Sequence, residues 1–366
     1  MNGRSPKAVP AGTGPVRTRI FFTNVNPGAY RGERSEGSER LGYINSDGTG
    51  EGHIDCAQFD IPNQTGWSVS HIFSDRRRVL VFSIEEGMCH AETTWTHLWT
   101  YDLETQTLTP FLETNRRAPY MTFVAEMPDQ KRVVVALSSN GENRHVMMGA
   151  DGTGEAEEIK LPDDGFSYCL SLSPDGTRWL FHTASRRGGY RVSVMDFDGG
   201  GLTEIAGHPD HLYFAPYWSP DGEWIVFTDC LHKTDPEHHQ ADILVCRPDG
   251  TEKKNLTGDH SFWLAAVYGG PSTKGSGSNS CRWKPDGTEI SLIDPFSGRE
   301  TRLTHSDPPL WNYHPVWSPD GEQLAFCRSK VGCRSELWVM DADGGNPRFL
   351  TAGYGGVGAD HAIWCT

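Results

Sequence analysis

Short apolar runs, often β-branched, alternate with polar turns along most of this chain. Residues 224–227, Trp-Ile-Val-Phe, follow a Pro-Asp-Gly turn, and residues 337–340, Leu-Trp-Val-Met, lead into an Asp-Ala-Asp-Gly turn. Proline presets its own φ in such a turn, and aspartate and glycine tolerate the dihedral angles that follow. A further short run ends in a phrase such as Phe-Leu-Thr at 349–351. This pattern predicts four short antiparallel strands in each unit.

The Pro-Asp-Gly phrase recurs as six more or less complete copies. Trp-Ser-Pro-Asp-Gly stands at 218–222 and 317–321, close copies stand at 172–176 and 283–287, and eroded copies stand at 73–75 and 126–129. The turn aspartates lie 34 to 65 residues apart, and a period in this range indicates stacked copies of one supersecondary unit. A repeated unit of four antiparallel strands is typical of a propeller blade.

The two ends of the chain complete a seventh unit. Residues 360–364 begin one more inner strand, and the chain stops at Thr366, where the turn should follow. The strands that this unit lacks are predicted at 19–23 and 41–48. We therefore predict an all-β fold, a seven-bladed β-propeller of four-stranded antiparallel blades whose last blade is closed by the N-terminal strands, which removes an exposed sheet edge. Residues 1–18 are expected to form an N-terminal tail, and residues 19–366 a single propeller domain.

The fifth unit is irregular. After its inner strand, the segment from Gly287 to Thr304 has room for only two further strands. The residues before it, 259–279, form a long Gly- and Ser-rich loop. Whether this loop supplies the missing strand stays open at the level of sequence.

Composition narrows the class of protein. Nine cysteines are scattered without paired spacing, which is typical of a reduced compartment rather than of a disulfide framework. No apolar stretch is long enough to span a membrane, and residues 1–17 are polar, so we expect a cytoplasmic protein or one whose leader has been removed. The formal charge of −15 disfavours nucleic acid as a partner, because phosphate binding needs a basic face. An anionic substrate would have to meet a locally positive site.

Strand direction places the insertions on one face of the predicted disc. The turns between strands one and two, and between strands three and four, are short. The connections on the other face carry the insertions, at 25–38, 85–96, 208–214, 230–240, 259–279 and 305–313. Most of the 15 histidines lie on or beside that face, which we call the working face. Loops on a rigid scaffold are where binding and catalytic sites are commonly built.

The inner strands converge on the central tunnel, and the residue six places before each turn aspartate should lie near its mouth. Those residues are Val69, Phe123, Cys169, Ala215, Ser280, His314 and, by alignment of its tryptophan, His361. Two histidines at one height in adjacent blades could hold a metal or act in acid–base chemistry. They could equally be polar residues that line the tunnel and bind water.

Further candidates lie in the loops of the working face. His208 and His211 are three residues apart and could ligate a metal, act as a base, or merely cap and solvate their loop. Candidate ligand contacts around the tunnel mouth are the aromatic residues Tyr213, Trp263, Trp311 and Tyr313, because aromatic side chains stack on sugar rings and line ligand pockets. Asn312, which lies between two of them in the sequence, is a further candidate contact. Arg116 and Arg117 could pair a carboxylate, or they could be solvated surface residues.

Motifs of other enzyme classes are absent from the sequence. There is no Gly-x-Ser-x-Gly phrase and no appended hydrolase domain, which disfavours a peptidase gated by a propeller. There is also no phosphate-binding loop with a lysine.

The repeats over residues 60–366 resemble those of TolB-type propellers, which is specific for the fold but not for the function. More narrowly, the chain resembles the oligogalacturonate lyases, seven-bladed propellers that hold a divalent metal through histidines at the tunnel mouth. His314 and His361 match the family pattern. The counterpart in blade five is Ser280, and the family's His-Pro-His phrase is replaced by residues 359–361, Ala-Asp-His.

The resemblance implies β-elimination on an oligosaccharide that contains uronic acid, with one divalent metal such as Mn or Ca bound by His314 and His361. It further implies that His208 or His211 is the base, that Arg117 clamps the substrate carboxylate, and that Tyr313 assists the leaving oxygen. Two other functions stay open. One is a non-catalytic propeller that binds a protein or a glycan, and the other is a glycoside hydrolase or epimerase that uses the same face. The sequence does not determine the oligomeric state.

Overall fold

The computed structural model describes residues 18–25, 40–59, 61, 64–85, 95–112, 118–119, 124–139, 142–154, 156–162, 167, 170–184, 190–231, 240–258, 264–268, 278–284, 287–307, 310–330, 333–353 and 358–365. Over these ranges the chain folds into β-strands with one four-residue 3₁₀ helix, Cys56–Phe59, so the predicted all-β class is confirmed. Within the same ranges, no helix has the length and apolar character needed to cross a membrane. Apart from Thr18, the predicted tail at 1–18 lies outside the described residues.

The first three blades follow one another along the chain. Blade 1 contains β4 (Gln64–Ile72), β5 (Arg78–Glu85), β6 (Trp95–Asp102) and β7 (Thr107–Pro110), with the short β8 (Ala118–Pro119) paired to β6. Blade 2 contains β9 (Ala125–Glu126), β10 (Arg132–Ser139), β11 (Glu142–Gly149) and β12 (Glu157–Ile159). Blade 3 contains β13 (Ser171–Leu172), β14 (Arg178–Ala184), β15 (Tyr190–Asp196) and β16 (Thr203–Ala206). Neighbouring strands within each blade are antiparallel.

Four more groups of four strands complete the described fold. Blade 4 contains β17 (His211–Trp218), β18 (Ile225–Leu231), β19 (Gln240–Cys246) and β20 (Lys254–Asn255). Blade 5 contains β21 (Leu264–Tyr268), β22 (Ser278–Lys284), β23 (Gly287–Ile293) and β24 (Glu300–Arg302). Blade 6 contains β25 (Leu310–Trp317), β26 (Gln323–Lys330), β27 (Glu336–Asp341) and β28 (Arg348–Thr351). Blade 7 contains β29 (Gly358–Trp364), β1 (Arg19–Val25), β2 (Arg40–Asn45) and β3 (Gly52–Asp55).

Blade 7 joins the two ends of the chain, as predicted. The C-terminal β29 pairs antiparallel with the N-terminal β1, from Ile20 opposite Trp364 to Val25 opposite Gly358. On its other side β1 pairs with β2, where Phe22 lies opposite Gly42. A Cβ at Gly42 would lie 2.0 Å from the ring of Phe22, so only glycine lets the aromatic ring pack flat across this strand.

The core is distributed between blades rather than gathered at one centre. Seven main apolar clusters occur among the described residues, and each draws its side chains from two neighbouring blades. One of them packs Phe21 of blade 7 against Val79 of blade 1, across the point where the ring closes. Val133, Val134 and Val135 are all buried because both faces of a blade are covered. Seven blades and seven interfaces are consistent with the predicted seven-bladed ring.

The repeated Trp-Ser-Pro-Asp-Gly phrase forms the turn between the first two strands of a blade. In blade 4 the Ser219 hydroxyl donates to the Asp221 carboxylate at 2.6 Å and accepts from the backbone N–H of Trp224 at 2.9 Å. Gly222 then adopts φ of 72°, which glycine reaches without steric cost. The phrase therefore recurs because it satisfies the polar groups of the turn locally.

Blade 5 corrects one expectation. The loop at 259–279 does supply the missing strand, because β21 lies within it and pairs with β22. The strand that carries Ser280 is therefore the second of its blade and not the inner one. Counting from the turn misplaced Ser280 in the tunnel ring because the turn after β22 joins the second and third strands here, not the first and second.

Candidate functional site

Three inner strands carry the same local distortion near their middle. Ala215 in β17, His314 in β25 and His361 in β29 are non-glycine residues with φ of 48°. The pairing register shifts at each of these positions, as β-bulges do. A bulge changes the direction in which a side chain points. A left-handed backbone conformation at a non-glycine residue costs about 1–2 kcal/mol, and it persists only where the surrounding fold imposes it. These are three of the positions that the repeat spacing singled out.

His314 and His361 lie side by side and share one carboxylate. Their ring centroids are 4.4 Å apart, with an angle of 41° between the planes. The Oδ1 atom of Asp360 lies 2.7 Å from Nδ1 of His314 and 3.5 Å from Nδ1 of His361, and it accepts from the backbone N–H of His361 at 2.7 Å. The thiol of Cys327 donates to the same oxygen at 3.1 Å. We call His314, Cys327, Asp360 and His361 the blade 6–7 group.

The electrostatics of this group favour a charged carboxylate at Asp360. Burial opposes ionisation of Asp360, but the hydrogen bond from His314 and the charges of both histidines outweigh it and lower its pKa to about 2. Burial lowers the pKa of His361, although the negative charge of Asp360 works against that shift. The side chains of His314 and His361 are still 41% and 34% exposed. The pair can therefore meet a ligand from solvent while Asp360 holds it from behind.

Tyr313 supports this group from within the blade. Its ring packs edge-on to His314 with centroids 5.0 Å apart. Burial raises the pKa of the Tyr313 phenol, and its oxygen is bonded to the side chains of Ser329 and Ser335. The phenol therefore stays protonated and is largely occupied by contacts inside blade 6.

A second group lies at the start of β17, two blades away. Nδ1 of His211 lies 2.6 Å from the Asp229 carboxylate, the ring of Tyr213 stacks on His211 at 5.6 Å and 11°, and His208 meets His211 edge-on at 4.9 Å. Burial, aided by the charge of Asp229, raises the pKa of Tyr213 to about 12. We call His208, His211, Tyr213 and Asp229 the blade 4 group.

The hydrogen bonds of the blade 4 group assign the two imidazole tautomers. A carboxylate only accepts, so Nδ1 of His211 carries hydrogen and the lone pair of the neutral ring lies on Nε2. The backbone N–H of Asp210 donates to Nδ1 of His208 at 3.2 Å, so a neutral His208 carries its hydrogen on Nε2. His211 is thus arranged to accept a proton and His208 to donate a hydrogen bond.

The structure places the remaining predicted ligand contacts, where it describes them, in other surroundings. Asn312 is fully buried. Its amide donates to Glu289 at 3.2 Å and to Ser306 at 2.8 Å, and its oxygen accepts from Arg328 at 2.8 Å. It therefore ties blades 5 and 6 together, a position that does not favour contact with a substrate. Trp311 is half-buried beside Tyr313, and Arg116, Arg117 and Trp263 lie outside the described residues.

Sequence reasoning missed the two aspartates and the cysteine. In the sequence, Asp360 stands out only as a departure from a family phrase, and nothing assigns a role to Asp229 or Cys327. One signal was available for Asp360, since it directly precedes the histidine of a predicted tunnel-mouth position. For Asp229 and Cys327 the signal is the strand pairing, which places them opposite Tyr213 and Tyr313.

The blade 6–7 group has the composition of a metal site. Single ligand atoms of His314, Cys327 and Asp360 all lie within 4.8 Å of one another, and His361 adjoins them. Imidazole, carboxylate and thiolate are ligands of divalent first-row metals. These residues therefore fit the divalent cation that the family resemblance implies.

Comparisons with known proteins support the fold and the repeat type. No family model matches the chain. The chain is 29% identical over 175 residues to an uncharacterized protein of Agrobacterium fabrum, a match that covers 38% of this chain and 58% of that protein. It is 37% identical over 87 residues to the Tol-Pal system protein TolB of Anaeromyxobacter dehalogenans, covering 19% of this chain and 18% of TolB. The chain therefore matches less than two thirds of the length of either relative.

Solved structures agree on the architecture. An oligogalacturonate lyase in complex with manganese superposes with a TM-score of 0.57 at 16% identity, covering 78% of this chain and 76% of the lyase. The propeller domain of the Trilobed protease from Pyrococcus furiosus gives a TM-score of 0.57 at 13% identity, covering 86% and 90% of the two chains. Likeness at these identities shows the fold alone. The chain is a β-propeller with TolB-like repeats.

Proposed function

We propose that the chain is an enzyme that cleaves an oligosaccharide containing uronic acid by β-elimination at the tunnel mouth. The observation that carries this proposal is the Asp360 oxygen that holds His314 and His361 side by side at the surface. A divalent cation held by this pair would supply the local positive charge in a protein whose formal charge is −15. An anionic sugar needs such a site in order to bind.

The two histidine groups divide the chemistry between them. The uronate carboxylate binds at His314 and His361, which would also hold the divalent cation. A cation bound there would supply positive charge beside the carboxylate and would lower the cost of removing the α-proton. Arg117 is the proposed second clamp on that carboxylate.

Within the blade 4 group, the Nε2 atom of His211 accepts the proton from the carbon next to the carboxylate, and Asp229 stabilises the imidazolium that results. The electron pair left on that carbon forms a double bond to its neighbour as the bond to the glycosidic oxygen breaks. His208 donates a hydrogen bond from its Nε2–H to the departing oxygen, which takes up a proton from water. Tyr213 provides an aromatic face for a sugar ring. The contacts that occupy Tyr313 favour a supporting role under His314 rather than contact with the leaving oxygen.

The test is a direct search for the product. The unsaturated sugar formed by β-elimination absorbs ultraviolet light, so we expect absorbance to rise when the protein is incubated with a panel of polyuronate oligosaccharides. Replacing His314 and His361 together by alanine should lower that rate by at least about 1,000-fold. His53→Ala, at an exposed histidine of β3, is the matched control and should keep full activity.

Two results would overturn the proposal: no absorbance with any member of the panel, or full activity in the double variant. Binding of a glycan or a protein without bond cleavage would favour the alternative, a non-catalytic propeller. That alternative draws support from the TolB relative. Cleavage without a new double bond would indicate a hydrolase that uses the same face. We keep the cytoplasm as the proposed location, since cysteines scattered without paired spacing are typical of a reduced compartment.

A further inference from the structure

Three side chains meet at one carboxylate oxygen of Asp360 in the blade 6–7 group, and one of the three is a thiol. The imidazoles of His314 and His361, the carboxylate of Asp360 and the thiol of Cys327 come from β25, β29 and β26. Measured to Oδ1 of Asp360, the His314 and His361 Nδ1 atoms lie at 2.7 and 3.5 Å, and the Cys327 sulfur lies at 3.1 Å. The donor set is therefore mixed nitrogen, oxygen and sulfur.

The environment of Cys327 differs from that of an ordinary buried cysteine. Cys246 is also fully buried, but it packs in an apolar cluster with Leu180 and Ile225. Burial raises the pKa of the Cys246 thiol to about 12. Cys327 is equally buried, yet its sulfur points to the carboxylate that holds both surface histidines. A thiol that only fills space has no need of such a partner.

We propose that Cys327 is a metal ligand, together with His314 and Asp360, and that the site selects a zinc-class ion over manganese or calcium. Thiolate and imidazole together favour Zn²⁺ and its spectroscopic substitute Co²⁺, whereas Mn²⁺ and Ca²⁺ favour sites of oxygen ligands. The inference concerns the site of the proposed function, but it does not depend on the proposed reaction.

The geometry requires only a small adjustment. Hydrogen-bonded contacts of 2.7 and 3.1 Å already join the three groups. Around an ion with metal–nitrogen and metal–sulfur bonds of about 2.0–2.3 Å, neighbouring ligand atoms stand roughly 0.5 Å further apart than this. The side chain of His314 is 41% exposed, so the ion enters from the working face, while Cys327 closes the site from within. His361 is positioned to be the fourth ligand.

Cobalt spectroscopy of the full chain tests the thiol directly. A cysteine thiolate bound to Co²⁺ gives an intense charge-transfer band in the near ultraviolet, and four-coordinate Co²⁺ gives strong visible bands. We expect one equivalent of Co²⁺ to produce both in the metal-free protein, and Zn²⁺ but not Ca²⁺ to abolish them. Cys327→Ser, which keeps a donor to Asp360, should lose the charge-transfer band and bind Zn²⁺ at least about 100-fold more weakly.

Two matched cysteine variants show whether the band comes from Cys327 or from another thiol. Cys333→Ser removes an exposed thiol, and Cys246→Ser removes a buried thiol elsewhere; both should keep the band. Circular dichroism and thermal melting of Cys327→Ser should show a folded protein. If the ultraviolet band persists in Cys327→Ser, if Co²⁺ binds without that band, or if Mn²⁺ binds as tightly as Zn²⁺, the thiol is not the selecting ligand. None of these outcomes bears on product formation, so the lyase proposal fails or stands separately.

Discussion

The two histidine groups use the same pair of residue types but assemble them differently. In the blade 4 group, His211 and Asp229 lie on adjacent strands of one blade, so a local register brings them together. In the blade 6–7 group, His314 of blade 6 meets Asp360 of blade 7. Asp360 lies on β29, whose neighbour in its own blade is the N-terminal β1. The first group therefore depends on one hairpin, and the second on closure of the ring.

This difference sets how many partners each aspartate serves. Asp229 contacts one imidazole, whereas Asp360 accepts from His314, from the backbone of His361 and from Cys327. A carboxylate at the junction of two blades can gather donors from three strands, which a carboxylate within one hairpin cannot. The site with the richer donor set is thus the one that the tertiary structure assembles.

The largest expected effect separates the two aspartates by activity. Asp360→Asn should lower kcat/KM by about 1,000-fold, because both histidines lose the charged carboxylate that holds them. Asp229→Asn should lower kcat by about 100-fold with little change in KM, since Asp229 acts only through the base. Steady-state kinetics on the ultraviolet product measure both.

Equal losses in the two variants would contradict this comparison. So would a loss in Asp229→Asn that falls on KM alone, because Asp229 would then be assisting binding rather than orienting a base. Asparagine has nearly the same shape and size as aspartate, so neither substitution should disturb packing.

The next prediction tests whether the blade 6–7 group depends on closure of the ring. Phe22 of β1 is 2% exposed and packs with Trp364 between blades 6 and 7. Phe22→Ala should lower the free energy of unfolding by about 3–5 kcal/mol, because it leaves a cavity in that interface. Hydrogen exchange should then speed up in β29 and leave β17 protected.

Phe22→Leu, which keeps most of the side-chain volume, is the control. It should lower the free energy of unfolding by less than half as much as Phe22→Ala. Equal acceleration of exchange in β17 and β29 would mean that the two histidine groups open together, and the proposed difference in their assembly would be wrong.

The smallest effect is a pH dependence of stability. The Asp360 pKa falls from 3.8 to about 2 on folding. The stability that ionised Asp360 adds to the folded state is therefore fully present above pH 4 and is lost as the pH falls through 2. This contribution to the free energy of unfolding is on the order of 2 kcal/mol. Urea unfolding should show Asp360→Asn less stable than the parent by that amount at pH 6, with the gap closing toward pH 2 because a protonated aspartate resembles asparagine. A gap that stays constant with pH would show that charge is not what Asp360 contributes.

Much of the fold could be predicted because its determinants are local. The Ser-Pro-Asp-Gly turn satisfies its own polar groups, so each copy marks a strand boundary wherever it occurs. Blade 5 escaped the pattern because its first strand, β21, lies in a Gly/Ser-rich stretch without a turn phrase. The side-by-side placement of His314 and His361 was predictable as well, since equal positions in a repeat occupy equal positions around an axis.

The sequence by itself determined the β-propeller, the joining of the chain ends in blade 7, and the equivalence of His314 and His361, because repeat spacing and turn chemistry are readable along the chain. Only the tertiary structure decided the partners of those histidines. Asp360 and Cys327 are 33 residues apart and lie in different blades, and Asp229 reaches His211 from the neighbouring strand. Contacts made between strands and between blades are set by register and packing in space, which no spacing along the chain records.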